Sequence, residues 1–288
     1  MQQPQFSVDE SEILIMKSRA APDSATKRKV MPAVSNDPSR SAGLRRGLEI
    51  LCLFSEEKPE WGITEIAHEM NLHKSLIHRS IKTLEEMGFL RRDPGRRRYL
   101  MGFKTFEVGS LAGRLTNRMA WSRPELRKLA RKLKATVSLR LVVDDDLLVV
   151  DMIESLTHLP IHIPQGARVP LNYGAGGQVM AAFRSDEDSR RLIRKYGLPR
   201  FTAKSLTTEK EFFNAVRRVR VHGYAISEGE TRPGFFSVAA PIMGADNLLT
   251  AVLVVSSPVG TMTKKEISAF AEVATETARR LTRRCHEI

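Results

Sequence analysis

The chain is poor in the residues that catalysis and cross-linking need. Two cysteines occur in 288 residues, Cys52 and Cys285. They lie far apart and outside any CxxC or metal-ligand spacing, so both read as reduced thiols, and a disulfide framework or zinc site is excluded. No apolar run approaches the ~20 residues of a membrane span. Ile13-Leu14-Ile15-Met16 is too short for a signal-peptide core and is preceded by acids, so a cytoplasmic protein is expected. The G-x-S-x-G nucleophile elbow is missing. His68, His73 and His78 recur every five residues, which does not put them on one helix face. His158 and His162 sit in an extended stretch where four-residue spacing makes no helical metal pair. No catalytic cluster, metal or cofactor is expected. Acids are also in deficit, with 33 Asp and Glu against 46 Lys and Arg, a net charge of +13. That balance favours an anionic partner, nucleic acid before a membrane surface. The hydrophobic share of 42% supplies real cores, and the length fits about two domains.

What is present centres on Gly62–Leu90. Ile63, Ile66, Ala67 and Met70 recur at helical spacing, and so do Ile77, Ile81 and Leu84. Asn71-Leu72-His73 between them allows only a tight turn, giving a helix-turn-helix. Thr64 is placed to cap the first helix and is counted with the candidate DNA contacts. The outward face of the second helix carries Lys74, Ser75, His78, Arg79 and Lys82, donors suited to phosphates and base edges. Ser75, His78 and Arg79 are the base-reading candidates. Gly88 ends that helix. Two short runs around Asp93-Pro94-Gly95 then read as a β-hairpin wing. From Lys74 to Lys104 nine Lys/Arg face three Asp/Glu, a local charge of +6. Lys74, Lys82, Arg96, Arg97 and Arg98 are the candidate phosphate contacts. A helical hairpin with a solvated face is the plainer alternative, and the cationic wing weighs against it.

Residues 1–40 read as a flexible tail. Leu44, Leu48 and Leu51 mark a first core helix, and 59–62 a loop, so the winged domain is placed at 41–103. Phe103–Asn117 reads as a linker helix (104–122), followed by a helix from Glu125 to Leu133 with Pro124 in its first turn. From residue 123 to 288 the pattern is α+β on an antiparallel sheet. It comprises a hairpin around Asp144-Asp145-Asp146, a strand at Leu159–Ile163, and helices at 178–183, 186–196 and 209–221. Strands at 224–227, 238–242 and 248–255 precede a terminal helix from Thr263 to Cys285. The Gly174–Gly177 run is expected as a turn opening the helix from Gln178, with uncovered N–H groups that favour a carboxylate or phosphate. The Ser227–Ser237 stretch reads as a polar loop whose Phe235 and Phe236 bury an apolar ligand body. An ordinary turn and an ordinary loop are the alternatives.

These residues together resemble the IclR family of bacterial transcriptional regulators. The N-terminal likeness rests on Gly43–Phe54, Ile63–Leu90 and Tyr99-Leu100-Met101-Gly102. The C-terminal likeness rests on Val169-Pro170-Leu171 with the Gly-rich run, Gly197–Thr202, Val219–Ala225, Pro233-Gly234 and Val238-Ala239-Ala240-Pro241. The resemblance implies a winged helix-turn-helix joined by a helix to a GAF-like effector domain. It implies a homodimer or dimer of dimers on palindromic double-stranded DNA, with half-sites about one helical turn, ~10 bp, or a multiple apart. The effector is expected to be a small organic acid. The family's effector positions fall on Gly174, Ala175, Gly176, Ser227, Phe235 and Ser237. Two departures bear on which acid: where the family's turn usually continues Gly-Lys-Ala this chain has Gly176-Gly177-Gln178, so the lysine is missing, and Ser227 stands where an acid is common. The rival functions are a GAF-domain enzyme or sensor with an incidental helix-turn-helix, which ligand turnover would reveal, and an architectural DNA binder, which would lack saturable small-molecule binding.

Overall fold

The computed structural model describes residues 42–55, 57–115, 120–155, 163–260 and 262–286. The expected tail, His158, His162 and all but Ile163 of the expected strand at 159–163 lie outside them. The chain divides into two compact units between Gly109 and Ser110.

The first unit runs α1 (Ala42–Leu51), β1 (Glu60–Trp61), α2 (Ile63–Glu69), α3 (Lys74–Glu86), β2 (Leu90–Arg92), β3 (Tyr99–Met101) and the start of α4 (Phe103–Leu115). Ile66 and Ala67 of α2 meet Ile77 and Ile81 of α3 in a core completed by Ile50, Trp61, Leu90 and Tyr99. Asn71 takes the left-handed conformation that ends α2, a state asparagine tolerates better than most residues. Gly88 (φ 76°) does the same after α3. Gly102 lets the end of the wing press on that turn: a Cβ there would stand 2.1 Å from the Gly88 carbonyl oxygen.

Two expectations for this unit are corrected. Residues 60–61 are a strand and not a loop. They pair with β3, Trp61 opposite Tyr99, to give a three-stranded sheet of order β1-β3-β2. The Trp61 indole N–H donates to the Leu53 carbonyl at 3.1 Å, which holds this strand under the end of α1. On α1 the inward residues are Gly47 and Ile50. Leu44 and Leu48 are 68% and 45% exposed. The side-chain-free Gly47 faces Leu84 of α3, and that close approach turns Leu44 and Leu48 outward.

The second unit continues with α5 (Arg123–Leu133), β4 (Thr136–Val143), β5 (Asp146–Ile153), β6 (Arg168–Pro170), α6 (Gly174–Ala182), α7 (Asp186–Tyr196), α8 (Glu209–His222), β7 (Ala225–Glu228), β8 (Phe235–Met243), β9 (Leu249–Pro258) and α9 (Lys264–His286). Its six strands form one antiparallel sheet of order β6-β5-β4-β9-β8-β7. Strand alternation sorts side chains onto two faces. Val137, Leu139, Phe236, Val238, Leu253 and Val255 pack against α5 and α9. Leu147, Val149, Ala239, Val252 and Val254 pack against α6, α7 and α8. Both faces are covered, so neither presents the sheet to water. The helix starts are capped as the sequence predicts: Thr208 accepts from the Glu211 N–H at 3.2 Å, and Thr263 from the Glu266 N–H at 3.3 Å. The acidic tip of the first hairpin has structural work, since Asp145 binds Arg184, Arg191 and Lys195 at 3.1–3.5 Å.

Candidate nucleic-acid interface and ligand site

In the first unit, α3 buries Ile77, Ser80 and Ile81 and exposes Lys74, Ser75, His78, Arg79 and Lys82. Residues 75, 78, 79 and 82 are three or four apart, so they form one stripe on the helix surface. The helix begins with His73, whose Nδ1 accepts the Ser75 N–H at 3.4 Å and lies 2.9 Å from the Ser75 hydroxyl. The sequence shows His73 only as a turn residue; its capping role needs the backbone to turn there. Lys82 pairs loosely with Glu86 at 3.8 Å, an exposed contact of little energetic weight.

The wing presents Arg96 and Arg97 fully outward, Arg97 in the left-handed conformation. Arg98 differs. Its guanidinium grips the Glu65 carboxylate at 2.7 and 3.3 Å and reaches the Glu60 carbonyl at 3.4 Å. The geometry ties the wing to α2, so Arg98 is not an open phosphate contact. The same Glu65 accepts the Gly62 N–H at 3.2 Å. That bond first, then Arg98, holds its carboxyl below the usual carboxylate range. Gly62 is therefore the residue before α2, and Thr64, expected as the cap, lies exposed inside the first turn. Glu65 performs the capping that the sequence assigns to Thr64.

In the second unit, the Gly-rich run is part of the helix. α6 starts at Gly174, and Ala175, Gly176 and Gly177 are buried within it. Packing explains the glycines. A Cβ on Gly177 would lie 1.8 Å from the Leu171 carbonyl oxygen, and one on Gly176 would lie 3.2 Å from Leu147 and 3.3 Å from the Arg140 guanidinium. Gly174 faces Thr231 and the Ser227 hydroxyl, at 3.2 and 3.8 Å from the same construction. The expected loop at 227–237 is narrower than the sequence suggests: its ends belong to β7 and β8, where Ser227 pairs with Ser237, and the turn itself is confined to 229–234.

The sheet face covered by α6, α7 and α8, its inner face, carries a row of hydroxyls. Thr136 stands opposite Ser256, Ser256 opposite Ser237, and Ser237 opposite Ser227. The Ser237 and Ser256 hydroxyls are 2.8 Å apart. Gln178 donates to Glu230 at 2.8 Å; burial pushes the Glu230 carboxyl up, against the hydrogen bond from Ser227. The chain at 202–205 holds this turn, with Thr202 donating to the Gly229 carbonyl at 2.6 Å and Ser205 to that of Glu230 at 2.7 Å. A narrow cleft opens between Gly174, Gln178, Phe201, Glu230 and Thr231. Thus Gly174, Ala175, Gly176, Ser227 and Ser237 come together around the start of α6. Phe235 is buried at the end of β8 with Arg232 over its ring at 4.5 Å. Phe236 points to the opposite face, edge-on to Phe270, so it cannot line this site as expected.

Two inner-face residues that the sequence does not mark as ligand contacts, Arg140 and Ser138, are buried here, 5% and 4% exposed. The signal was a charge inside an alternating apolar strand, which ordinarily marks a water-facing side. Among the described residues no three of His, Cys, Asp and Glu gather as metal ligands, and no helix is long and apolar enough to cross a membrane.

Both units match known proteins. Residues 43–94 match the IclR helix-turn-helix domain, and residues 116–283 match the bacterial transcriptional regulator IclR C-terminal domain. The transcriptional repressor IclR of Escherichia coli K12 is 25% identical over 260 residues, covering 89% of this chain and 95% of that protein. The crystal structure of an IclR transcriptional regulator from Alicyclobacillus acidocaldarius, 26% identical, superposes with a TM-score of 0.74 over 85% of this chain and 98% of its own. An IclR homolog from Microbacterium hydrocarbonoxydans, complexed with 4-hydroxybenzoate, shares the fold at 17% identity, with a TM-score of 0.73 over 85% of this chain and 100% of its own. With a winged helix-turn-helix in one unit and a helix-covered antiparallel sheet in the other, each matched by its own domain model, the chain belongs to the IclR family of bacterial DNA-binding transcriptional regulators.

Proposed function

We propose that the protein is a sequence-specific regulator whose DNA affinity is set by a small organic acid from a catabolic pathway. The observation that carries the DNA half is the exposed stripe of Ser75, His78, Arg79 and Lys82 on α3, flanked by Lys74, Thr64 and the wing arginines Arg96 and Arg97. α3 enters the major groove, with Ser75, His78 and Arg79 at base edges. Lys74, Lys82, Thr64, Arg96 and Arg97 hold phosphates, and Arg98 fixes the wing to α2. The operator is palindromic and the working form is a homodimer or a dimer of dimers. The exposed Leu44, Leu48, Phe103 and Phe106, the last two 80% and 76% accessible, support this, since large exposed apolar side chains mark association surfaces.

The effector half places the acid around Gly174, Ala175, Gly176, Ser227 and Ser237, with Phe235 at the margin. The polar groups and the positive end of α6 favour an anion. The 4-hydroxybenzoate of the Microbacterium protein is a ligand of that class. Regulation requires only that the acid bind the DNA-bound and DNA-free forms with different affinities. The test is a mobility-shift titration on the operator with benzoate, 4-hydroxybenzoate, acetate and pyruvate. At least one acid is expected to move the midpoint tenfold or more, which corresponds to about 1.4 kcal/mol of coupling. A midpoint unmoved by all four contradicts the reading.

The wing assignment has its own measurement. Arg97→Ala is expected to weaken binding to specific and unrelated DNA alike and to lower the slope of log K against log salt by about one. A change in base preference with the slope intact would place Arg97 at a base instead.

A further inference from the structure

The inner face of the sheet holds a charge that has no counter-charge among the described residues. The Arg140 guanidinium is buried, and its Nε donates to the Ser138 hydroxyl at 3.1 Å. Among the described residues no carboxylate lies within ion-pair distance of it. The acids of the β4–β5 hairpin and of the turn before β8 are engaged elsewhere: Asp144 and Asp146 with Arg168, Asp145 with Arg184, Arg191 and Lys195, Asp151 with Arg123, and Glu230 with Gln178. Burial alone drives the Arg140 pKa down to about 10, with only the Tyr173 phenol acting the other way. A buried unpaired cation is costly, and proteins retain such groups where a ligand completes them.

Three features surround this cation. The first turn of α6 lies against it, since a Cβ on Gly176 would stand 3.3 Å from its Nη1; the positive helix end adds to the field instead of cancelling it. Leu147 and Val254 flank the same point at 3.2 and 3.4 Å and supply apolar walls. The β4–β5 register slips between Leu139 and Arg140, an irregularity that re-aims side chains beside functional sites.

We propose that Arg140, assisted by Ser138, is the anchor for the carboxylate of the effector, in a site between the inner face of β4 and the first turn of α6. This rests on the effector reading above and adds the group that selects the acid. One guanidinium balances one negative charge, and its planar fork fits a carboxylate through two parallel hydrogen bonds. The apolar part of the ligand then lies against Leu147 and Val254. A phosphate dianion would leave a charge uncompensated beside those walls.

The test uses the full chain and needs no knowledge of the natural effector. Unfolding midpoint and calorimetric binding are followed with acetate and benzoate, with the neutral isosteres acetamide and benzamide, and with inorganic phosphate, all at one ionic strength. The wild type is expected to bind at least one of the two acids saturably and neither amide. Arg140→Met is expected to keep the unliganded unfolding midpoint or raise it, and to lose tenfold or more in acid affinity. Arg140→Lys, a point charge without the fork, falls between. Equal response to an acid and its amide, no saturable response to either acid, or a response to phosphate alone overturns the proposal. So does acid binding in Arg140→Met or Arg140→Lys within threefold of wild type. The operator complex separates the two readings. If acid binds through Arg140 but leaves the DNA complex unchanged, the anchor stands and the regulatory reading falls. If the complex answers to acid equally in wild type and Arg140→Met, the regulation stands and the anchor falls.

Discussion

Gly177→Ala is expected to destabilise the second unit by about 3 kcal/mol or more, at the upper end of what overpacking costs. The added methyl would meet the Leu171 carbonyl oxygen at 1.8 Å and its carbon at 2.5 Å. Both are backbone atoms of the segment leading into α6, so no side-chain rotation relieves the contact. Either α6 lifts from the sheet or the 169–171 segment moves, and both displace the start of α6 from Ser227 and Arg140. For a unit of this size the unfolding midpoint should fall by roughly 6–12 °C. Gly109→Ala is the control: nothing lies within 4 Å of its added Cβ. It sits in α4, where alanine is favoured over glycine by up to about 1 kcal/mol. Thermal unfolding of the two variants reads the difference directly. A Gly177→Ala midpoint within a degree of wild type would mean that α6 does not seat on Leu171 as described.

Arg79→Ala is expected to cost about 1–3 kcal/mol on the operator, a loss of roughly 5- to 150-fold, and much less on unrelated DNA. Arg79 is exposed in the middle of the α3 stripe, one turn from Ser75 and Lys82, and is engaged by no acid of its own helix face. A guanidinium there can form two hydrogen bonds to one base, so its removal reduces the ratio of specific to nonspecific affinity. Competition binding at fixed salt measures that ratio. Equal loss on both DNAs would move Arg79 to the phosphates and leave the base reading to Ser75 and His78.

The helix-turn-helix was legible because its two apolar stripes and the glycine stop are local signals. Ile66, Ala67, Ile77 and Ile81 are buried as their spacing predicts. The Trp61 strand was not legible: two residues carry no periodicity, and only pairing with Tyr99 makes them a strand. The same limit hid the Arg98–Glu65 pair, whose partners are 33 residues apart. Composition shows a cationic wing but cannot say which arginine is consumed by the fold. In the second unit, β4, β5, β7, β8, β9 and the amphipathic helices followed from alternation and capping, whereas the three-residue edge strand β6 is too short to carry alternation. Arg140 did not, because V-S-L-R-L from Val137 to Leu141 reads the same whether its polar side faces water or a covering helix. Only the seating of α6, set by the close approach of Gly177 to Leu171, decides that Ser138 and Arg140 face inward. The glycine run misled for a related reason. Glycines punctuate turns more often than they start helices, and here they are required by close packing inside one.

The most direct test of the account is a mobility shift of the purified protein on the DNA upstream of its own coding region, at fixed salt, against excess unrelated competitor. A discrete complex is expected that survives the competitor in the wild type and loses its advantage in Arg79→Ala. A smear that any competitor removes equally would show a cationic surface without sequence reading, and would contradict the role assigned to the exposed face of α3.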